Sequence, residues 1–367
     1  MPKSHPIAVN TWNEDEIEAI EEVIRSNRFT CGDKVKEFEE DFAVRTGTNY
    51  AVMVNSGSSA NLLMVAAMSL RQGVGTVIVP AISWSTSYAP FQQYGWKLKF
   101  VDIDRETLNY DIEKLHEAYT GNELILAVNL LGNPNDFARF PVLGNSILED
   151  NCESMGSKYG SIPTGNFGAM GSHSMYFSHH ICTMEGGVIT TDDTEYRDML
   201  LSLRSHGWTR HRGDEGYNFI YPGYNVRPIE MMGAIGLKQM EKLKGFVEGR
   251  RKNAETYPLI TQKETTSVVE DDGNFQEIRG ESSRYGFSIV AENIDEIKAY
   301  FDSIGVEYRP ILSHFTRSEA IKYFDYEIHG TLDNADYVHD HGIYIGNSHE
   351  EIDWSFLDHP CLDELRK

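Results

Sequence analysis

The run SMYFSHHICTMEGG, Ser174 to Gly187, sets His179 and His180 side by side ahead of a Glu-Gly-Gly turn at Glu185. An imidazole with an unperturbed pKa of about 6.5 can take up and release a proton near neutrality, so the pair suits acid/base work. It also suits metal ligation or a plain surface turn. A metal set drawn from His173, His179, His180, His206 and His211 lacks HExxH or any comparable ligand spacing, and no metal is expected. Upstream, NSGSSAN places Gly57 where a sharp turn would point backbone amides outward, with Ser56, Ser58 and Ser59 adding hydroxyls. That is the chemistry of a phosphate cradle, or of an ordinary helix cap. In ISWSTSYA, Trp84 offers a face for a planar ring or a core aromatic. In LEDNCESMGSKYG, Asp150 is an acid that could hold a protonated pyridine nitrogen, with Glu153 three residues on. Glu149 reads as a solvated or capping acid and Lys158 as a surface lysine.

These residues need elements to carry them. YAVMVNSGSSANLLMVAAMSL reads as a buried strand, a tight turn at Asn55–Ser59 and a long apolar helix. GTVIVPAISWSTS, KLKFVDID, ELILAVNL and SILEDNCE read as further short strands, with helical stretches such as DIEKLHEAY between them. Buried strands alternating with helices predict an α/β fold: a mostly parallel sheet sandwiched by helices, with ligands at the carboxyl ends of the strands. Near the start, Ile17, Ile20 and Ile24 recur at helical spacing behind Asn13 as N-cap. RPIEMMGAIGLKQMEKLKGFVEGRRKNAETY predicts one long helix leading out of the large domain, taken as 1–244. The segment after it reads as charged and loop-rich. SRYGFSIVAENIDEIKAYFDSIGVEYRP then has a strand–helix–strand pattern, and 245–367 is expected to be a smaller α+β domain.

Bulk properties narrow the partners. The chain has 367 residues, enough for a sizeable core, and a formal net charge of −23 without a basic run. A polyanion repels phosphate backbones, so nucleic acid is not an expected partner. Cys31, Cys152, Cys182 and Cys361 are scattered, which gives no support to a zinc site, an iron–sulfur cluster or a disulfide scaffold. No apolar run of membrane-spanning length or signal-peptide core is present, and a cytoplasmic location is expected.

Taken in order, NSGSSAN, VPAISWSTSYA, LEDNCESMGS, SMYFSHHICTMEGG, RSHGWTR and GYNVRPIEMMGAIGLKQ resemble the motifs of the DegT/DnrJ/EryC1/StrS sugar aminotransferase family, from about Trp12 to the end of the chain. The resemblance implies a fold-type I pyridoxal-phosphate transferase fold. In that family a lysine six residues before the Glu of the Glu-Gly-Gly turn bonds covalently to the cofactor. Counting six back from Glu185 reaches His179. An imidazole cannot form that bond, and the chain is similar to the histidine-for-lysine branch, the nucleotide-sugar 3-dehydratases of dideoxysugar biosynthesis. The branch member acting on CDP-sugars carries an iron–sulfur cluster on closely spaced cysteines. Their absence here favours the cluster-free type, which uses L-glutamate, and the SHH…MEGG pattern resembles the members of the branch that act on a GDP-sugar.

What the resemblance implies is then specific. Pyridoxal or pyridoxamine phosphate is bound noncovalently and His179 shuttles protons. Gly57, Ser58 and Ser174 hold the phosphate, Trp84 stacks on the ring and Asp150 pairs with its nitrogen. Glu153 lies toward the ring oxygen or the incoming glutamate. Asn225 reaches the phosphate of a neighbouring subunit, so a homodimer with shared active sites is expected. His206 and Arg210 are candidate contacts for the sugar nucleotide. Arg309 or Arg317, in RPILSHFTR, could meet an anionic group or form a surface salt bridge, and His180 is assigned to structure. Two other functions fit the same motifs: a 4-aminotransferase that draws its lysine from elsewhere, and an inactive cofactor- or sugar-binding regulator.

Overall fold

The computed structural model describes residues 5–213, 216–271 and 274–366. Its first half contains α1 (Glu14–Ser26), α2 (Asp33–Thr46), β1 (Tyr50–Val54), α3 (Gly57–Gln72), β2 (Thr76–Pro80), β3 (Ile82–Ser83), α4 (Ser85–Tyr94), β4 (Lys97–Val101), α5 (Ile112–Ala118), β5 (Leu124–Val128) and β6 (Gly144–Asp150). There follow β7 (Lys158–Tyr159), β8 (Ile162–Pro163), β9 (Gly168–Ser174), β10 (Gly187–Thr191), α6 (Thr194–Arg204) and the long α7 (Glu230–Thr256). The chain continues with β11 (Thr266–Asp271), β12 (Asn274–Glu281), β13 (Gly286–Val290), α8 (Ile294–Ile304), β14 (Tyr308–Pro310), β15 (Ser313–His314), β16 (Tyr326–Ile328), α9 (Asp333–His341) and β17 (Gly342–Gly346).

Eight strands form the main sheet in the order β1-β10-β9-β6-β5-β2-β4-β16. From β9 to β16 every pairing is parallel, while β10 runs antiparallel to both neighbours. While β16 at the edge is exposed, the inner parallel strands are largely buried, β2 and β5 along near-continuous apolar runs. Their carboxyl ends therefore open onto one edge, where β1 leads into α3, β2 and β3 into α4, and β6 into the loop that begins at Asn151. The expected α/β architecture is present.

Helix α1 starts at the expected Asn13, in a capping box with Glu16. Its buried residues, however, are Glu16, Ala19 and Val23, and Ile17 and Ile24 are 45% and 50% exposed. Glu16 is inside because Gln239 and Lys242 of α7 bond its carboxylate. A tertiary partner thus outweighs the isoleucine spacing.

Helix α7 runs across the 244/245 boundary, and β13, β17 and β14 form a small antiparallel sheet beyond it. The chain does not stay apart after that boundary. Strand β16 returns to the edge of the main sheet beside β4, and β15 pairs with β3. The segment read as charged loop is a hairpin, β11–β12, which pairs with β7.

Candidate active site

A cavity of about 720 Å³ opens at the carboxyl edge of the main sheet. Its lining brings together Gly57, Ser58, Trp84, Asp150, Glu153, Ser174 and His179, residues spread over more than a hundred positions.

The floor is the start of α3. Ser56 caps the helix, its side chain accepting from Ser59 N, so the amides of Gly57 and Ser58 precede the first intrahelical bond and carry the positive end of the helix dipole. Two glycines make this turn possible. A Cβ on Gly57 would lie 2.6 Å from Ser174 Cβ and 2.9 Å from Cys152 Sγ. A Cβ on Gly187, in β10, would lie 2.2 Å from Ser56 O. The Glu-Gly-Gly turn therefore has a structural reason: its last glycine lets β10 pass directly beneath the cradle. Ser58 Oγ lies 2.7 Å from Thr86 Oγ1, which ties α3 to α4.

Asp150 stands at the end of β6 and is 5% exposed. Its Oδ2 accepts from Asn61 Nδ2 at 2.8 Å and Ser87 Oγ at 2.7 Å, and its Oδ1 from Cys152 N at 3.1 Å. Asn61 lies one turn of α3 beyond Gly57, so one rigid helix carries both the turn at Gly57 and a side chain that holds the acid. Asn61 and Ser87 fall within the NSGSSAN and VPAISWSTSYA motifs, but sequence alone does not show that they converge on Asp150.

Trp84 sits at the N-cap of α4, 60% exposed, and covers the cavity from that side. Glu153 accepts from Leu131 N at 2.9 Å, and burial pushes its carboxyl up to about 7. Glu149 is a correction. It is fully buried, accepting from the backbone N–H groups of Gly165, Phe167 and Gly168, and burial holds its carboxyl at about 7 against those bonds. It braces the segment that enters β9 and is not a solvated acid. Lys158 is exposed in β7, as expected.

His179 lines the cavity with its ring centroid 5.4 Å from Tyr285 and 6.0 Å from Tyr176. Its Nδ1 is buried without a hydrogen-bond partner among the described residues. Burial, reinforced by the Arg250 guanidinium, pulls its pKa down to about 4, so the ring is neutral at pH 7. His180 points away into the interior, 0% exposed, with its ring 5.8 Å from Tyr285 and both ring nitrogens unpartnered among the described residues. It does not line the cavity. Tyr285 was not legible as a site residue. It follows the charged segment, and only the fold brings its hydroxyl to 3.1 Å from Ser178 Oγ.

No lysine is among the described lining residues. Asn225, His206 and Arg210 also lie outside the lining and are exposed on this chain. Arg309 lines the cavity, whereas Arg317 pairs with Asp336 and Asp340 on the surface. Among the described residues no cluster of His, Cys, Asp or Glu could hold a metal ion, and no helix is long and apolar enough to cross a membrane.

Residues 10–350 match the DegT/DnrJ/EryC1/StrS aminotransferase family. The chain belongs to this family. GDP-4-keto-6-deoxy-D-mannose 3-dehydratase of Yersinia pseudotuberculosis is 44% identical over 382 residues, spanning 95% of both chains. The protein of that name from Escherichia coli O55:H7 is 45% identical over 381 residues, spanning 95% of this chain and 96% of that one. Among solved structures, GDP-4-keto-6-deoxymannose-3-dehydratase with a trapped PLP-glutamate geminal diamine superposes with a TM-score of 0.88 at 42% identity, over 99% of this chain and 100% of that one. A mutant of the same enzyme with bound GDP-perosamine gives 0.87 at 43% identity, over 95% and 97%. The fold-type I architecture is shared with these structures.

Proposed function

We propose that this chain is a nucleotide-sugar 3-dehydratase that removes the C3 hydroxyl of a 4-keto-6-deoxyhexose, GDP-4-keto-6-deoxy-D-mannose by likeness to its relatives, with L-glutamate as amino donor. The observation that carries the reading is a family cavity lined by His179 and by no lysine among the described residues.

The residues fit pyridoxal or pyridoxamine phosphate. The cradle that a Cβ on Gly57 would fill suits a phosphate, and the carboxylate one helical turn away suits a pyridinium nitrogen. Bound there, the cofactor supplies an amine for the 4-keto carbon and a ring that accepts the electrons of a broken C–H bond. Gly57, Ser58 and Ser174 hold the phosphate, and Trp84 covers one face of the ring. Asp150, immobilised by Asn61 and Ser87, keeps the ring nitrogen protonated. Glu153 lies toward the ring oxygen, and its buried carboxyl can share a proton there near neutrality.

His179 is neutral at pH 7 and takes the proton from the cofactor's C4′. A low pKa makes its conjugate acid strong, so the protonated ring can then pass the proton to the departing C3 oxygen. Water releases ammonia from the product, leaving a 3-deoxy-4-keto sugar, and L-glutamate leaves as 2-oxoglutarate.

Asn225, His206 and Arg210 act in a homodimer in this reading, reaching the phosphate and the nucleotide in the neighbouring subunit's site. Their exposure outside this chain's own cavity supports it, as do the exposed Tyr217 and Phe219. The experiment is a coupled assay with GDP- and CDP-linked 4-keto-6-deoxyhexoses and L-glutamate. Equal amounts of 2-oxoglutarate and 3-deoxy sugar from the GDP substrate are expected. A 4-amino sugar as the product, or no turnover of either nucleotide, overturns the proposal.

A further inference from the structure

An imidazole forms no covalent bond with the cofactor, so nothing ties His179 at its tip. Its Nδ1 has no hydrogen-bond partner among the described residues, and the rings of Tyr176 and Tyr285 pack beside it. A base displaced by about 1 Å can lose about a hundredfold in rate. The place of the imidazole therefore depends on the loop that carries it.

That loop, residues 175–186, joins β9 to β10. Its base is closed by backbone bonds from Met175 N to Gly186 O and from Thr183 N to Met175 O, both 3.0 Å. Within it His179 N donates to Tyr176 O at 2.9 Å. Cys182 follows three residues after His179, buried and outside any strand. Buried backbone groups without a ladder need partners from elsewhere. For Cys182 both partners are distant side chains. Its N–H donates to Gln239 Oε1 at 3.0 Å, and its carbonyl accepts from Trp12 Nε1 at 2.8 Å.

The anchor is itself immobile. Gln239 is fully buried in α7, and its amide uses both donors and both lone pairs. Oε1 also accepts from Thr11 Oγ1 at 2.8 Å, while Nε2 donates to Thr11 O at 3.0 Å and to Glu16 Oε1 at 2.8 Å. The Glu16 carboxylate only accepts, so it must face Nε2, and Oε1 is left toward Cys182 N. Thr11 and Trp12 are adjacent, so one short stretch ahead of α1 meets both the amide and the loop. Neither Gln239 nor Trp12 lines the cavity. A buried amide and a buried carboxylate are costly to place in an interior, and here they converge on the peptide that follows the proton carrier.

We infer that Gln239 and Trp12 are positioning residues for His179, gripping Cys182 from both sides and so setting where the imidazole stands in the cavity. The inference rests on the functional reading for the proton that His179 moves. Both residues act through the loop and touch neither cofactor nor substrate.

The test compares pyridoxal-phosphate-loaded wild type with Trp12→Phe, Gln239→Met and Trp354→Phe in the half-reaction with L-glutamate. The donor carries protium or deuterium at Cα, and 2-oxoglutarate release is followed. In this half-reaction the amino group passes to the cofactor, water supplies the keto oxygen, and the Cα proton moves through His179 to C4′. Trp12→Phe keeps an aromatic ring and removes the N–H. It should lower the rate at saturating glutamate about tenfold, with KM and cofactor affinity within about twofold and an isotope effect at least as large as that of wild type. Gln239→Met should show the same pattern, and if a thermal melt finds it unfolded, Trp12→Phe decides alone. Trp354→Phe deletes a like bond away from the loop, Trp354 Nε1 to Thr256 Oγ1 at 3.2 Å, and should keep the wild-type rate. The inference is overturned by a fall of less than about threefold in Trp12→Phe, by a loss carried in KM or cofactor affinity, by a smaller isotope effect, or by an equal loss in Trp354→Phe. A wild type that releases no 2-oxoglutarate overturns the functional reading and this inference together, whereas variants that match a working wild type overturn this inference alone.

Discussion

Replacing Gly57 by alanine tests the phosphate cradle at its tightest point. The new methyl would sit 2.6 Å from Ser174 Cβ, 2.9 Å from Cys152 Sγ and 3.0 Å from Ser174 Oγ. Contacts that short force a shift, and overpacking of this kind costs about 1–3 kcal/mol. Gly57 is also the first residue of α3, where alanine's higher helix propensity returns at most about 1 kcal/mol. Folding stability should therefore drop by about 0–3 kcal/mol. The cofactor bears an effect of its own, because the residues that move are the ones proposed to hold its phosphate. A loss of about 1.4–2.8 kcal/mol there weakens binding by about 10- to 100-fold. Fluorescence titration of the cofactor-free variant with pyridoxamine phosphate reads the affinity, and a thermal melt reads the stability. Ser174→Gly removes two of the three close contacts, so the cost of Gly57→Ala should be smaller in that background than in wild type. Wild-type affinity in Gly57→Ala, or an equal cost in both backgrounds, would refute the steric argument.

Other consequences follow from the same geometry. Glu230 accepts from Gly32 N at 2.7 Å and Lys34 N at 2.6 Å, standing in for the side-chain cap that Gly32 cannot give α2. Glu230→Ala should cost about 2–4 kcal/mol in denaturant unfolding, and a change below about 0.5 kcal/mol would contradict the capping role. Burial holds His173 and His179 at about 4 and pulls His180 well below the ordinary value of 6.5. The unfolded chain takes up these protons as pH falls below 6.5 and the folded chain does not, so each histidine removes up to about 1.4 kcal/mol of stability per pH unit. Glu149 and Glu153, raised to about 7, act in the opposite sense as pH rises from 4.5. Where the windows overlap the three histidines outweigh the two carboxyls. Stability of the cofactor-free chain should therefore decline between about pH 6.5 and about pH 5, and a rise would contradict the burial of these rings. His179→Lys should capture the cofactor covalently, leaving a pyridoxyl adduct after borohydride reduction where the wild type leaves none. Absence of the adduct would place position 179 away from the cofactor aldehyde.

Much of this was legible in the sequence because the large sheet is built from local signals. Each parallel strand is a short apolar run closed by a turn, and the residues just past those runs, Gly57, Trp84 and Asp150, share one edge for topological reasons. What escaped the sequence depends on distant partners. The buried stripe of α1 is set by Gln239 and Lys242, more than two hundred residues away, and not by its isoleucines. The alternation of β11 and β12 is masked by charged residues, and β12 meets β7 only at Gly280 and Glu281. Asn61 and Ser87 look like generic polar residues until the fold aims both at Asp150. Tyr285 enters the cavity from the C-terminal segment, whose return to the main sheet has no local signature, and the same return decides between Arg309, which lines the cavity, and Arg317, which does not.

The central claim is that His179 carries the proton at the cofactor and at the sugar. The most direct measurement is a single turnover of pyridoxamine-phosphate-loaded protein with GDP-4-keto-6-deoxy-D-mannose and no glutamate, comparing wild type with His179→Asn. The wild type should release one equivalent of 3-deoxy sugar per site, and the variant should bind cofactor and substrate but release none. Equal release from both proteins would contradict the account.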